Sequence, residues 1–378
     1  MELRMEAELA EVTAALAKNA ETHDREASFP QDGIETVHAA GLLTATLAAE
    51  YGGPGAGLSV STAILRALGK GDPSVALITA MTLFAHALHA RERKWPEDIY
   101  ESVVEESKAR PVLINALRVE PELGSPSRGG LPATTARRTG DGWELSGRKI
   151  FSTGAEGLRW MMVFARTDED PPRTGMFLVR GDAPGITIER TWDHLGLRAS
   201  RSDDVTFDRT PLPEHAVAEL AVPAPPGARL TPFLAWNALG IAALYLGVAD
   251  AARDWLIGFL AERTPTSLGK PLATLPRFQS AVGEIDAALT SAGEFVASLA
   301  RGVDEGDEAA IGQAGIAKLT STRAAIGAVE LAVAVTGNNG LTRRYPLERH
   351  YRDVLCSRVH APQDDTILLA AGRSAFGF

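Results

Sequence analysis

The stretch from Thr336 to Asp365 gathers the side chains best suited to chemistry in this 378-residue chain. A glycine-rich run, Thr336-Gly337-Asn338-Asn339-Gly340, precedes Glu348-Arg349-His350-Tyr351-Arg352-Asp353 and then Val359-His360-Ala361-Pro362. The His360 imidazole can exchange protons near neutral pH, which a carboxylate of ordinary pKa does less well. No second His or Cys stands at metal-ligand spacing, so no metal is expected. Upstream, Val119-Glu120-Pro121-Glu122-Leu123-Gly124-Ser125 ends on a Gly-Ser turn, which can approach a pyrophosphate closely because it lacks bulk. The guanidinium of Arg263, in RTPTSLGKPLATLPRFQ up to Gln279, suits a diphosphate through paired charge-assisted hydrogen bonds.

Three compositional regimes must position these groups. From Met1 to about Arg110 apolar residues recur at helical spacing, broken at Gly52 to Gly55 and at Gly71-Asp72-Pro73, where Asp72 is a good N-cap and Pro73 a good first helical residue. From about Pro111 to Pro226 short runs such as GWELSGRKIF, WMMVFART and GMFLVR alternate with turn residues and read as strands. A Pro-rich connector at 222–227 follows, and helical periodicity then returns to the end. The expected domains are therefore helical 1–110, β 111–226 and helical 227–378. Helices, a β block, then helices is not the alternation of an α/β fold, so the class is α+β, mainly α.

The chain carries 38 basic against 48 acidic residues with no basic cluster, which argues against a nucleic-acid partner. One cysteine, Cys356, excludes a disulfide framework and fits a reducing compartment. The N-terminal residues lack the apolar segment of a secretory signal, so a cytoplasmic location is expected. Ala235 to Ala261 is apolar enough to suggest a membrane span, but Asn237, Asp250, Arg253 and Asp254 interrupt it, and a buried bundle helix is the better reading. His86 reads as a satisfied core residue, His194 as a surface histidine, and Asp364 and Asp365 as caps of a helix beginning before Thr366.

The motifs, in order and spacing, resemble the acyl-CoA dehydrogenase superfamily over essentially the whole chain. VEPELGS is similar to that family's Thr-Glu-Pro-x-x-Gly-Ser, GRKIFSTG to its Gly-x-Lys-x-Trp-Ile-Thr-Asn, and WDHLGLRASRSDDVTF to its Leu-Gly-x-Arg-x-Ser strand region. The resemblance implies a helical N-domain, a central β-barrel and a C-terminal four-helix bundle, in a homo-oligomer that is a tetramer or a dimer. It also implies FAD, with FMN as the alternative. Val119 would offer backbone to the flavin ring, Gly124 and Ser125 would lie near the diphosphate, Phe151 would cover one flavin face, and Thr153 would lie near N5. Arg263, Gln279, Gly337 and Gly340 would reach the cofactor's adenosine diphosphate portion, partly across a subunit interface.

One family feature is missing. The glutamate that removes the substrate's α-proton would fall eight residues after Asp353, at Ala361, and the alternative position on the long bundle helix falls at Asn237. The run around His350 and His360 resembles instead the flavin-dependent monooxygenases of the dibenzothiophene and sulfone type, whose flavin arrives reduced, from a separate reductase, and reacts with oxygen. The favoured expectation is an oxygenase acting on a small organic or acyl-thioester substrate, with His360 as proton-transfer group and Asn237 as a polar contact. An acyl-CoA dehydrogenase with a non-standard base and an inactive flavin-binding paralogue are the alternatives.

Overall fold

The computed structural model describes residues 2–123, 130–222 and 232–377. Gly124 and Ser125 lie outside the described residues. Five helices come first: α1 (Glu2–Glu26), α2 (Gln31–Ala39), α3 (Leu58–Gly71), α4 (Pro73–Glu92) and α5 (Glu97–Ala109). The Asp72 carboxylate caps α4, accepting from the backbone of Ser74 at 2.8 Å and Val75 at 3.3 Å, with Pro73 inside the first turn.

Among the described residues eight strands follow: β1 (Leu113–Leu117), β2 (Thr135–Thr139), β3 (Gly142–Ser152), β4 (Leu158–Thr167), β5 (Thr174–Arg180), β6 (Ile186–Glu189), β7 (Asp203–Pro213) and β8 (Val217–Ala221). They form one sheet in the order β6-β7-β3-β2-β4-β5-β8, with β1 parallel to β4. Strand β3 is the longest together with β7, and their antiparallel register slips between Lys149 and Ser152. Such a bulge re-aims the side chains at a strand end.

The rest is helical: α6 (Pro232–Glu262), α7 (Pro276–Glu305), α8 (Glu308–Thr336), the short α9 (Asn338–Leu341), α10 (Leu347–Leu355) and α11 (Asp364–Ala375). Helices α4, α6 and α8 are each long and apolar enough to cross a membrane, but most of the apolar windows of α4 and α6 are covered by the protein itself. Close backbone packing joins the N-terminal helices to the bundle. A side chain at Gly69 of α3 would meet the carbonyl of Leu244 at 2.3 Å, and one at Gly247 of α6 would meet that of Arg66 at 2.1 Å. Beside this contact Arg66 forks onto Asp250 at 2.6 and 3.0 Å.

Arg352 and Asp353 of α10 bind all three regions. The Arg352 guanidinium bonds Asp24 of α1 at 2.6 and 2.9 Å, Glu348 at 2.8 and 3.1 Å, and the carbonyl of Leu195 at 2.9 Å. Asp353 accepts from the backbone N–H of Leu197 at 2.7 Å. Gly196 sits so close that a Cβ there would lie 2.4 Å from the Arg352 carbonyl. The loop from Trp192 to Leu197 is thereby fixed against the bundle.

Candidate active site

Two groups of side chains meet the description of a flavin site, one on the sheet and one on the bundle. On the sheet, the slip at the end of β3 puts Phe151 at φ +56° with half of its surface exposed. A bulky residue in the left-handed region is strained, and such positions persist where the surroundings hold them. The exposed ring faces the edges of Trp192, 6.3 Å between centroids, and His194, at 5.8 Å. The last two stack on each other at 3.6 Å. His194 is indeed at the surface, as one half of an aromatic pair.

Two residues on, the Thr153 hydroxyl lies 3.0 Å from that of Ser202, which lies 2.9 Å from that of Ser200. The Thr153 carbonyl accepts from the Asn115 amide at 3.0 Å. The Val119 carbonyl accepts from the N–H of Ile150 at 3.0 Å, so the two sheet motifs are hydrogen-bonded to each other. Their flanking residues form a buried ion pair, Lys149 Nζ to Glu120 Oε1 at 2.6 Å, both side chains closed to solvent. Glu120 also accepts from the backbone of Ala133 and Thr134 and from the Thr134 hydroxyl. Burial pushes its carboxyl up, but the bonds from Lys149 and Thr134 outweigh this and hold it below its usual range. An exposed phenyl ring walled by a perpendicular aromatic pair, beside the Thr153 hydroxyl and a rigid backbone, offers a place for the ring of a flavin.

On the bundle, Asn237 near the start of α6 donates its amide to the carbonyl of Ala361 at 2.6 Å. The two positions where a catalytic carboxylate was sought are therefore in contact, and neither carries one. His360, the neighbour of Ala361, keeps part of its surface open, but its Nε2 is shielded from solvent and has no hydrogen-bond partner. Burial, aided by the charge of Lys318, pushes its pKa down to about 4, so the imidazole is neutral at pH 7. The Tyr245 ring of α6 lies 5.7 Å away.

The remaining predicted residues lie elsewhere. Arg263 and Gln279 are exposed. Arg263 follows the end of α6, and Gln279 begins α7 with its amide on the carbonyl of Ala273 at 2.9 Å. Gly337, at φ +56°, ends α8, and Gly340 is pressed onto Val333 and Thr336. Tyr345, just beyond, packs on Trp255 and Phe259 at the same end of α6. Asn237 and this end are separated by about 38 Å along α6, at ~1.5 Å per residue. Within one chain Arg263 therefore does not come together with Asn237 and Ala361. Asp364 and Asp365 occupy the first turn of α11 and not its cap, which is Gln363; Asp364 pairs with Arg323 at 3.1 Å. His86 is only half satisfied, with Nδ1 on the Tyr100 hydroxyl at 2.8 Å and Nε2 unpaired. Among the described residues no group of three metal-ligating side chains forms.

Lys318, Tyr245, Ser202 and Asn115 escaped the sequence reading. Lys318 had a signal, since Ala314, Lys318, Ser321 and Ala325 share one helical face and its neighbours there are small and buried. The others are brought in by long-range pairing that no local spacing reveals.

Comparison with known proteins supplies the family. The chain matches the models of the acyl-CoA dehydrogenase N-terminal domain over residues 4–91, middle domain over 119–210 and C-terminal domain over 239–364. It is 34% identical, over 93% of its length and 91% of the relative's, to YdbM of Bacillus subtilis (strain 168), a protein whose name only provisionally makes it an acyl-CoA dehydrogenase. It is 32% identical, over 92% of its length and 83% of the relative's, to L-evernosamine nitrososynthase of a Micromonospora species. Among solved structures it resembles KijD3 in complex with FMN and dTDP-3-amino-2,3,6-trideoxy-4-keto-3-methyl-D-glucose, with TM-score 0.78, 28% identity, and coverage of 99% of this chain and 92% of that one. With all three domain models matched in chain order and a relative above 30% identity along nine-tenths of both chains, this protein belongs to the acyl-CoA dehydrogenase family.

Proposed function

We propose that this protein is a flavin-dependent, oxygen-activating oxidoreductase acting on a small organic or acyl-thioester substrate, and that it does not desaturate acyl-CoA by the family's usual base. The observation that carries this reading is the contact between Asn237 and the Ala361 carbonyl, which fills both base positions with groups unable to take a proton from carbon. Similarity to a nitrososynthase at 32% identity supports it, as does similarity to KijD3 with bound FMN. A second reading, dehydrogenation with an unusual base, is favoured by similarity to YdbM.

When bound, the flavin supplies the electrons that activate oxygen. The chain's own residues do the rest. Phe151 and the Trp192–His194 pair present the aromatic face for the ring, and Thr153, backed by Ser202, directs a hydroxyl at it. Asn237 holds the 360–362 loop in place. His360, neutral at pH 7, holds or accepts a proton at Nε2 from oxygen chemistry beside it. Arg263, Gln279, Gly337 and Gly340 serve the adenosine diphosphate portion of a cofactor bound mainly to a second copy of the chain, a reading supported by the length of α6 that separates Arg263 from Asn237 and its partner Ala361. FAD is the expected cofactor and FMN the alternative, with electrons from a separate reductase.

The reading is tested by supplying reduced flavin and labelled oxygen with a panel of small amines, sulfur heterocycles and acyl thioesters. One labelled oxygen atom in a product, lost in His360→Ala, is the expected result. Oxygen use that yields only hydrogen peroxide with every substrate counts against it.

A further inference from the structure

Among the described residues, three polar atoms around His360 have no hydrogen-bond partner. Tyr245 Oη, Lys318 Nζ and His360 Nε2 are each shielded from solvent and unbonded, and they come from three separate elements, α6, α8 and the loop before α11. The Tyr245 and Lys318 side chains are wholly buried. Their neighbourhood is shared. Tyr245 lies 5.7 Å from the His360 ring, and Lys318 is the charge that acts on His360. The nearest acid to Lys318, Asp364, stands at 3.9 Å, beyond hydrogen-bond reach, and is already held by Arg323.

Buried polar groups are nearly always paired, and a buried ammonium without a counter-ion is among the costliest arrangements a fold can contain. A hydroxyl, an ammonium and an imidazole can all donate, and among the described residues no acceptor lies within bonding distance of Lys318. The other groups near this cluster, Asp353 and Cys356, act on Tyr245; burial pushes the first up to about 7 and the second up to about 12, which favours their neutral forms. Burial pushes the Lys318 ammonium down as well, so its charged form calls for an anion beside it.

The geometry points to a buried receptor, formed by Lys318, Tyr245 and His360, for one compact monoanion, namely a carboxylate carried by the substrate. A single ammonium neutralises a single negative charge, and two carboxylate oxygens are matched by donors from the other two side chains. A phosphate dianion would bring one charge too many into a closed site. Beside the cluster Val359 is largely exposed and His360 itself partly open, which makes this the side from which such a carboxylate would enter. This inference rests on the proposed placement of substrate beside His360, but not on oxygen activation.

The test is calorimetric titration of the flavin-loaded, oxidised protein with butyrate and, separately, with inorganic phosphate. Butyrate is expected to bind saturably at one site per chain, phosphate not to bind. Lys318→Met, which keeps the length of the side chain, should weaken butyrate at least tenfold, and Tyr245→Phe, which removes one hydroxyl, about fivefold. The visible flavin spectrum and the melting temperature of Tyr245→Phe should stay as in the parent. Absence of saturable butyrate binding, equal binding of phosphate, or a Tyr245→Phe protein that binds as the parent does would overturn the receptor. Nothing turns over in this experiment, so its failure leaves oxygen activation standing, and failure of oxygen activation leaves its outcome readable.

Discussion

The Asn237 amide donates to the Ala361 carbonyl at 2.6 Å, joining two positions 124 residues apart that are both candidates for a catalytic carboxylate and both lack one. The bond fixes the loop that carries His360 to the start of α6. Removing it in Asn237→Ala gives up one hydrogen bond, about 1 kcal/mol of stability, but frees the loop. Turnover should fall roughly ten- to a hundredfold, because small misplacements of a reacting group are costly in rate. Flavin content and substrate turnover, measured on the same preparation, check this: the first should hold and the second should drop.

Phe151 is half exposed and contributes little to the core. Phe151→Ala should therefore leave the melting temperature almost unchanged while weakening flavin binding about tenfold, the value of ~1.5 kcal/mol expected for a lost aromatic stacking contact. Flavin fluorescence titration of the apoprotein measures it. A large drop in melting temperature with unchanged flavin affinity would make Phe151 a packing residue only.

Glu120 and Lys149 behave differently. Their pair is buried at 2.6 Å between the two sheet motifs. Lys149→Met leaves Glu120 buried without its ammonium, and breaking such a pair costs ~3–5 kcal/mol. Urea unfolding should show the loss. The double variant Lys149→Met with Glu120→Gln should recover part of it, because no uncompensated charge is left.

Acid stability follows from the buried imidazoles. Burial pushes His86, His89 and His360 down to about 4 and His350 to about 3, below the value near 6.5 of an unfolded histidine. The unfolded chain therefore binds more protons in this range, so their contribution is present above about pH 6.5 and is lost as pH falls toward 4. Asp353 acts oppositely: burial raises it to about 7, so its contribution is present below its unfolded value near 4 and is lost as pH rises through 7. Asp72, also raised by burial, acts in the same sense as Asp353; the four imidazoles outweigh the two carboxyls, and the urea midpoint should fall between pH 6.5 and 4.5. His86→Gln should reduce that fall, and a midpoint independent of pH would contradict the burial of these rings.

Much of the architecture was legible in the chain, because it rests on local signals. Asp72 followed by Pro73 announced the start of α4, period-two runs marked β3, β4 and β5, and charged residues inside Ala235 to Ala261 pointed to a bundle helix. The candidate site could be located in the sequence only where a motif lies in one short stretch of chain, as with Phe151 and Thr153. Asn237 on Ala361, Ser202 on Thr153 and Arg352 on Asp24 are pairings across 124, 49 and 328 residues, which depend on how helices and sheet dock. Lys318 shows a third case: its buried face was readable from helical period, but a lysine is ordinarily assumed to reach water.

On the proposed function, neither base position removes a proton from an acyl thioester. Mixing the oxidised, flavin-loaded protein anaerobically with a panel of acyl-CoA thioesters tests it most directly, with visible flavin absorbance as the readout. The absorbance should persist with every member of the panel. Rapid bleaching by any of them, with release of the corresponding enoyl-CoA, would contradict it.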